Sequence, residues 1–193
     1  METHIDRIRE LAQESLSAKE QMLADPAIWE KLDEVVKASI MCLRAGGKLL
    51  FCGNGGSAAD AQHIAAELSG RFYLDRAPLF AEALHVNTSY LTSVANDYDY
   101  NSVYSRAVQA KGRAGDLLFG ISTSGNSGNV IDAMEVAKDL KMITVGMTGA
   151  GGGKMADLCD FLLAVPSNIT PRIQESHILL GHILCELVEK EMA

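Results

Sequence analysis

Residues 48–57 read KLLFCGNGGS, a short and mostly apolar run followed directly by a loop of glycine, asparagine and serine. A helical stretch continues from this loop to Leu68. The same order recurs later, with an apolar run at 116–121, the loop STSGNS at 122–127 and a helical stretch over 128–140. Apolar runs that alternate with helices are typical of parallel strands covered on both faces by helices.

Three further apolar runs extend the predicted sheet. Residues 142–147 and 161–165 have the length and composition of buried strands, and 81–84 is a weaker candidate. A long helix is predicted from about 171 to 191. We therefore predict an α/β fold, in which a doubly wound parallel sheet is flanked by helices.

The N-terminal residues do not follow this alternation. Helical spacing at 1–23 and 26–44 predicts two helices, with Asp25 as N-cap and Pro26 at the first position of the second helix. We interpret residues 1–45 as a helical hairpin within a single domain over 1–193. The apolar stripe of this hairpin could pack on its own domain or against another subunit, and we expect an oligomer, a homotetramer.

Composition excludes several classes of protein. The 193 residues are 48% hydrophobic and 22% charged, as in an ordinary globular protein. No apolar run approaches the roughly 18 residues of a membrane span, and the polar N-terminus does not resemble a signal peptide. A net charge of −8 argues against binding to nucleic acids or membrane surfaces. Four cysteines without a C-x-x-C pair predict free thiols, and we expect a cytoplasmic protein.

The two polar loops are candidates for binding an anion. Ligands of open parallel sheets bind beyond the carboxyl ends of the strands. Loop 1 (residues 53–57) and loop 2 (122–127) each precede a helix N-terminus, where free N–H groups and the helix dipole attract anions. Loop 1 matches neither the Walker pattern nor G-x-G-x-x-G. Loop 2 could be a turn with a helix cap, but a cap needs one hydroxyl and loop 2 has four. The sequence therefore predicts a phosphate site.

Polar side chains of two helices are candidates for chemistry. His63 and Glu67 lie four positions apart on the helix after loop 1, so they share one face. They could be two metal ligands, an acid–base pair or an exposed pair without a function. The C-terminal helix contains four more candidates, among which periodicity alone does not choose: Gln174, Glu175, His177 and His182.

Three segments resemble the signatures of the SIS (sugar isomerase) fold, and more narrowly those of the phosphoheptose isomerases. These segments are 51–57, 120–127 and the run RIQE at 172–175. The resemblance implies that the substrate is bound by loop 1 through Asn54, Gly55, Gly56 and Ser57, and by loop 2 through Ser122, Thr123, Ser124 and Ser127. It implies one zinc ion per subunit, held by His63, Glu67, Gln174 and His182.

The resemblance also assigns roles in the reaction. Glu67 and His182 would transfer protons, and Glu67 and Gln174 would also contact the substrate. The segment Asn96-Asp97 resembles one that contacts sugar hydroxyls, although both residue types are frequent at helix ends. Pro171 stands where some relatives have an acidic residue, which puts the substrate preference in question. Glu175 and His177 are expected to be structural residues or to support the site from outside it.

The implied activity is the conversion of sedoheptulose 7-phosphate to D-glycero-D-manno-heptose 7-phosphate through an enediol, for bacterial lipopolysaccharide heptose. This reaction needs a base, an acid and a group that stabilises charge on oxygen, and Glu67, His182 and zinc match these needs. One alternative is a non-enzymatic SIS protein that binds a phosphosugar or a protein partner. Another is a SIS isomerase for a pentose or hexose phosphate. The presence of both Glu67 and His182 favours an isomerase over a binding protein.

Overall fold

The computed structural model describes residues 3–193, so the first two residues of the predicted N-terminal helix lie outside it. Seven helices and five strands follow one another in these residues. The first half contains α1 (His4–Ala24), α2 (Pro26–Arg44), β1 (Leu49–Gly53), α3 (Gly56–Ser69), β2 (Ala81–Ala83), α4 (Thr88–Asp97) and α5 (Ser102–Lys111). The second half contains β3 (Leu117–Ile121), α6 (Gly128–Asp139), β4 (Ile143–Thr148), a 3-10 helix (Gly153–Asp157), β5 (Phe161–Ala164) and α7 (Thr170–Met192).

The five strands form one parallel sheet in the order β2-β1-β3-β4-β5. From β1 the chain passes to β2 on one side and then returns to β3 on the other side. The strand order therefore reverses between β1 and β3, which is where open α/β sheets bind their ligands. Loop 1 follows β1 and loop 2 follows β3, so both loops lie at this point.

Two apolar layers cover the sheet, because successive side chains of a strand point to opposite faces. Leu49 and Phe51 of β1 belong to the layer formed with α2, α3 and α7. Leu50 and Cys52 belong to the layer formed with α4, α5 and α6. The predicted doubly wound parallel sheet is confirmed.

The two N-terminal helices form as predicted and differ in what they bury. The Asp25 carboxylate accepts a hydrogen bond from the backbone N–H of Ala27 at 3.0 Å, and Pro26 lies in the first turn of α2. The inner face of α2 joins the core beside α7. By contrast, α1 buries Ala18 and Met22 and leaves large apolar side chains exposed.

The predicted elements agree with the structure to within a few residues at their ends. The weak strand candidate is a three-residue edge strand, β2. The sequence analysis did not predict α5, which buries Val103, Tyr104, Ala107 and Val108 among polar residues. Within residues 3–193, no helix combines the length and the apolar character needed to cross a membrane.

Candidate active site between two loops and two helices

The hydroxyls of loop 2 face one another instead of capping α6. Ser122 Oγ lies 2.8 Å from Ser127 Oγ and 3.4 Å from Ser124 Oγ. Ser127 is the N-cap of α6, but within the described chain its hydroxyl accepts no hydrogen bond from the first turn of that helix. Ser124 Oγ accepts from the backbone N–H of Asn126 at 3.1 Å, as in an ordinary turn. The helix-cap alternative therefore does not account for Ser127, and the hydroxyls remain able to turn towards an anion.

Loop 1 brings a second helix N-terminus to the same edge of the sheet. Gly55 is the N-cap of α3, so within residues 3–193 no capping side chain accepts a hydrogen bond from the first N–H groups of that helix. Ser57 is buried in the first turn of α3. The positive end of the helix dipole points out of this turn, which favours a phosphate there.

Gln174 of α7 lies directly against loop 1. A Cβ atom at Gly56 would collide with the side-chain amide of Gln174. Only glycine therefore lets the amide approach the start of α3 so closely. The structure places the predicted residues Gly56 and Gln174 together.

The close packing of α3 on α7 brings their titratable side chains together. A Cβ atom at Gly181 would lie 2.5 Å from Cδ1 of Ile64, so the two helices approach closely because this residue has no side chain. Ile64 follows His63, and Gly181 precedes His182. This contact explains how residues distant in the sequence meet.

His63, Glu67 and His182 form a compact cluster. Each contributes one nitrogen or oxygen atom, and these atoms lie within 4.8 Å of one another. His63 Nε2 lies 3.1 Å from Glu67 Oε1, and the rings of His63 and His182 meet edge to face at 5.0 Å. The site is half exposed, as a substrate site must be. The two predicted catalytic residues are thus neighbours.

The cluster suits a divalent metal ion by its donors and their spacing. Two ligand atoms of a tetrahedral zinc ion, each about 2 Å from it, are separated by about 3.3 Å. The observed separations of 3.1 Å to at most 4.8 Å need only small side-chain movements to reach this value. Two imidazoles and a carboxylate are ordinary zinc ligands, and three of them leave a position for substrate. These three side chains could hold a metal ion.

The side chains of α3 tilt from the cluster towards loop 1. Helical side chains tilt towards the N-terminus of their helix. Glu67 follows Ser57 by ten residues on α3, about 15 Å along the axis. The side chains of His63 and Glu67 therefore lean back towards loop 1.

Two other predicted residues, Asn96 and Asp97, end α4 and are exposed. Asn96 Nδ2 donates to Asp97 Oδ1 at 2.9 Å. Nearby, the hydroxyl of Tyr100 donates to Asn54 Oδ1 at 3.2 Å, which ties this segment to loop 1. In the part of the chain that the structure describes, the side chains of Asn96 and Asp97 hydrogen-bond to each other and not to either loop or the cluster.

Glu175 and His177 of α7 pair with groups outside the cluster. Glu175 pairs with Arg172 at 2.9 Å and with Lys19 of α1 at 3.8 Å. His177 is fully buried, and its Nε2 donates to the carbonyl oxygen of Thr148 at 3.0 Å. Burial lowers the pKa of His177 to about 4.

Sequence reasoning missed the residues that hold the site in place. Phe72 packs its ring 5.8 Å from that of His182. The carboxylate of Glu189 accepts hydrogen bonds from the backbone N–H groups of Phe72, Tyr73 and Leu74 at 2.6–2.9 Å. Burial raises the pKa of Glu189, but these three donors and Arg76 outweigh it and the net pKa is lowered. The sequence does not distinguish Glu189 from its neighbours Glu186 and Glu191, because its hydrogen-bond partners are backbone N–H groups.

Comparison with known proteins places the chain in a family. A family model described as SIS domain matches residues 12–149. The phosphoheptose isomerase of Aneurinibacillus thermoaerophilus is 52% identical over 185 residues, 96% of this chain and 93% of that protein. That of Rhodospirillum rubrum is 58% identical over 164 residues, 85% of each chain.

Solved structures give the same result. A phosphoheptose isomerase from Neisseria gonorrhoeae superposes with a TM-score of 0.91 at 45% identity, covering 97% of this chain and 100% of that one. One from Francisella tularensis has a TM-score of 0.94 at 36% identity, covering 98% and 100%. The fold and its paired loops define a SIS-domain protein. Within that class, the chain belongs to the phosphoheptose isomerase family, as the resemblance predicted.

Proposed function

We propose that the chain is an aldose–ketose isomerase that converts sedoheptulose 7-phosphate to D-glycero-D-manno-heptose 7-phosphate. The observation that carries this proposal is the cluster that Glu67 of α3 and His182 of α7 form together with His63. Relatives at 52% and 58% identity are named phosphoheptose isomerases, which supports the same activity here. In bacteria this product would supply lipopolysaccharide heptose.

Phosphate binding is assigned to the two loops. Loop 1 would offer backbone N–H groups at Asn54, Gly55 and Gly56 and the hydroxyl of Ser57. Loop 2 would offer the hydroxyls of Ser122, Thr123, Ser124 and Ser127. Neutral donors at two helix N-termini bind an anion without adding charge, which suits a protein with a net charge of −8.

The proton transfers are assigned to Glu67 and His182. Glu67 takes a proton from C1 of the ketose and returns it to C2, so that an enediol lies between substrate and product. On the opposite side, His182 moves the hydroxyl proton from O1 to O2. The imidazole and the carboxylate are close enough to act on adjacent carbons of one sugar.

A zinc ion, one per subunit, is assigned to His63, Glu67, Gln174 and His182. When bound, zinc supplies a Lewis acid that stabilises negative charge on the substrate oxygens. Three of these residues support the site by their separations. Gln174 is assigned by family resemblance and by its position against Gly56; its amide would also contact the substrate.

The sugar hydroxyls are assigned to Asn96 and Asp97, which have polar groups on the exposed end of α4. Pro171 lies in the first turn of α7, where a carboxylate would offer a further hydroxyl contact. We expect a substitution of Pro171 to change the preference among ketose phosphates more than the catalytic rate.

We further propose that the chain forms a homotetramer in the cytoplasm, with residues 1–193 as one domain. Ile5, Ile8, Leu16 and Leu23 recur with helical spacing along α1 and are 53–71% exposed. This stripe on one face of α1 would be covered by another subunit. The free thiols of all four cysteines agree with a reducing compartment.

The test is to offer purified protein ketose phosphates of five, six and seven carbons and to follow formation of the aldose. We expect turnover of the seven-carbon substrate above the others. Binding of the sugar phosphates without any aldose would contradict the isomerase and favour the non-enzymatic phosphosugar-binding alternative.

A further inference from the structure

Two asparagines join the phosphate loops by a reciprocal pair of hydrogen bonds. Asn54 Nδ2 donates to Asn129 Oδ1 at 2.8 Å, and Asn129 Nδ2 donates to Asn54 Oδ1 at 2.9 Å. Asn54 lies in loop 1, and Asn129 lies in the first turn of α6, two residues after loop 2. The residues are 75 positions apart, so the contact exists only because the two loops meet.

A third residue completes this contact. The hydroxyl of Tyr100 donates to Asn54 Oδ1 at 3.2 Å. An amide oxygen has two lone pairs, so Asn129 and Tyr100 together occupy the acceptor capacity of Asn54. The Asn54 side chain therefore retains a single N–H for a ligand, and most of its hydrogen-bonding capacity is spent within the protein.

The burial of Asn129 makes the contact costly to lose. Its residue is 3% exposed, in a first turn that packs Val130 into the core. Removing Asn54 would leave the buried Asn129 amide without its hydrogen-bond partner, and removing Asn129 would leave Asn54 Nδ2 without the acceptor that it has within residues 3–193. Loop 1 would then move so that the unpaired group can reach water, because Asn54 is the more exposed of the two residues.

We propose that Asn129 is a positioning residue that holds loop 1 and loop 2 at the separation at which their donors bind one phosphate. Asn54 transmits this constraint to the start of α3, and Tyr100 extends it to the segment after Asn96 and Asp97. Asn54 thus acts mainly through Asn129. This inference rests on the proposed function in that the anion is the phosphate of the sugar.

The experiment measures inorganic phosphate binding by calorimetry together with kcat and KM for sedoheptulose 7-phosphate. In Asn129→Ala, phosphate affinity should fall roughly 10- to 100-fold, as expected for a lost network of buried hydrogen bonds. KM should rise in parallel, while kcat changes by less than about threefold because the cluster on α3 and α7 is untouched. Asn54→Ala should lower phosphate affinity by a similar factor. The double variant should lose no more affinity than either single variant, because the two residues act through one contact.

Asn87→Ala is the matched control. Asn87 Oδ1 accepts from the backbone N–H of Tyr90 at 3.0 Å and caps α4, and across the described residues 3–193 its side chain makes no hydrogen bond to either loop. This variant should lose stability without losing phosphate affinity. If Asn129→Ala does not fold, Tyr100→Phe removes a single hydroxyl from a half-exposed ring and should weaken phosphate binding a few-fold.

The outcomes separate the inference from the proposed function. Phosphate affinity unchanged in Asn129→Ala, or in Tyr100→Phe where the former is unfolded, would overturn the inference. So would additive losses in the double variant, or a wild-type protein that binds no phosphate. If the wild type binds phosphate but converts no ketose, the proposed isomerase fails, whereas the phosphate measurements still decide the role of Asn129.

Discussion

The two ends of the candidate site are built in different ways. The phosphate end consists of loops that follow neighbouring parallel strands, with neutral donors and no charged side chain in either loop. The catalytic end consists of titratable side chains from α3 and α7, helices that meet through Gly181 and Ile64. Under the proposed function, this difference in construction makes substrate binding and chemistry separable. Changes in the loops should act on affinity, and changes in the helices should act on turnover.

The largest effect should come from Glu67→Gln. Loss of a general base typically costs 10²–10⁴ in rate, so kcat should fall by about 10²- to 10⁴-fold. Phosphate affinity should stay within about twofold, because the loops are unchanged. Glu186→Gln, which removes an exposed carboxylate paired with Lys190 on α7, is the control and should keep normal turnover. Substantial activity in Glu67→Gln would remove the assigned base.

Zinc content should differ between variants of the catalytic end and variants of the phosphate end. Protein purified without chelator should contain about one zinc ion per subunit, and His63→Ala should contain little, since it loses one of few strong ligands. Elemental analysis measures this directly. Ser127→Ala should retain its zinc, because the loop end supplies no ligand. Equal zinc in wild type and His63→Ala would exclude His63 as a ligand.

Acid should lower the stability of the folded protein through His177 of α7. The ring is fully buried, and its Nδ1 has no hydrogen-bond partner among residues 3–193, so protonation would bury an unpaired charge. Its pKa falls from 6.5 to about 4 in the folded protein, whereas the unfolded chain protonates normally. Stability is therefore retained above pH 6.5 and is lost as pH falls towards 4, by at most about 3 kcal/mol.

Urea unfolding across this pH window measures the effect. His177→Leu should be less stable at neutral pH, because Thr148 loses its donor, but its stability should change less with pH. A pH dependence as steep as that of the wild type would assign the acid sensitivity to other groups.

A smaller effect is expected from Ser122→Ala. Its hydroxyl lies beside those of Ser124 and Ser127, and a hydrogen bond to a charged group contributes about 1.5–3 kcal/mol. KM should therefore rise roughly tenfold or more, with kcat nearly unchanged. Ser105→Ala on α5, whose hydroxyl bonds to the carbonyl oxygen of Ser102, is the control. A fall in kcat without a change in KM would contradict the separation of the two ends.

The phosphate end could largely be predicted from the sequence, because its geometry follows from local order. Continuous apolar runs predict parallel strands, and loops after such strands lie at one edge of the sheet. The pairing of His63 with Glu67 follows from helical spacing in the same way.

The catalytic end could be predicted only by resemblance. Whether His182 faces α3 depends on a close helix contact at Gly181, which periodicity does not reveal. Asn129 was missed because the sequence does not show whether an asparagine in the first turn of a helix is buried or exposed. Glu189 was missed because its partners are backbone N–H groups, which leave no trace in the sequence.

The most direct measurement of the catalytic assignment is solvent exchange during turnover. Wild-type protein incubated with sedoheptulose 7-phosphate in D₂O should introduce deuterium at C1 of the ketose and C2 of the aldose, followed by NMR. Glu67→Gln should bind phosphate normally and introduce almost none, since no base removes the C1 proton. Deuterium incorporation at the wild-type rate in Glu67→Gln would contradict the account.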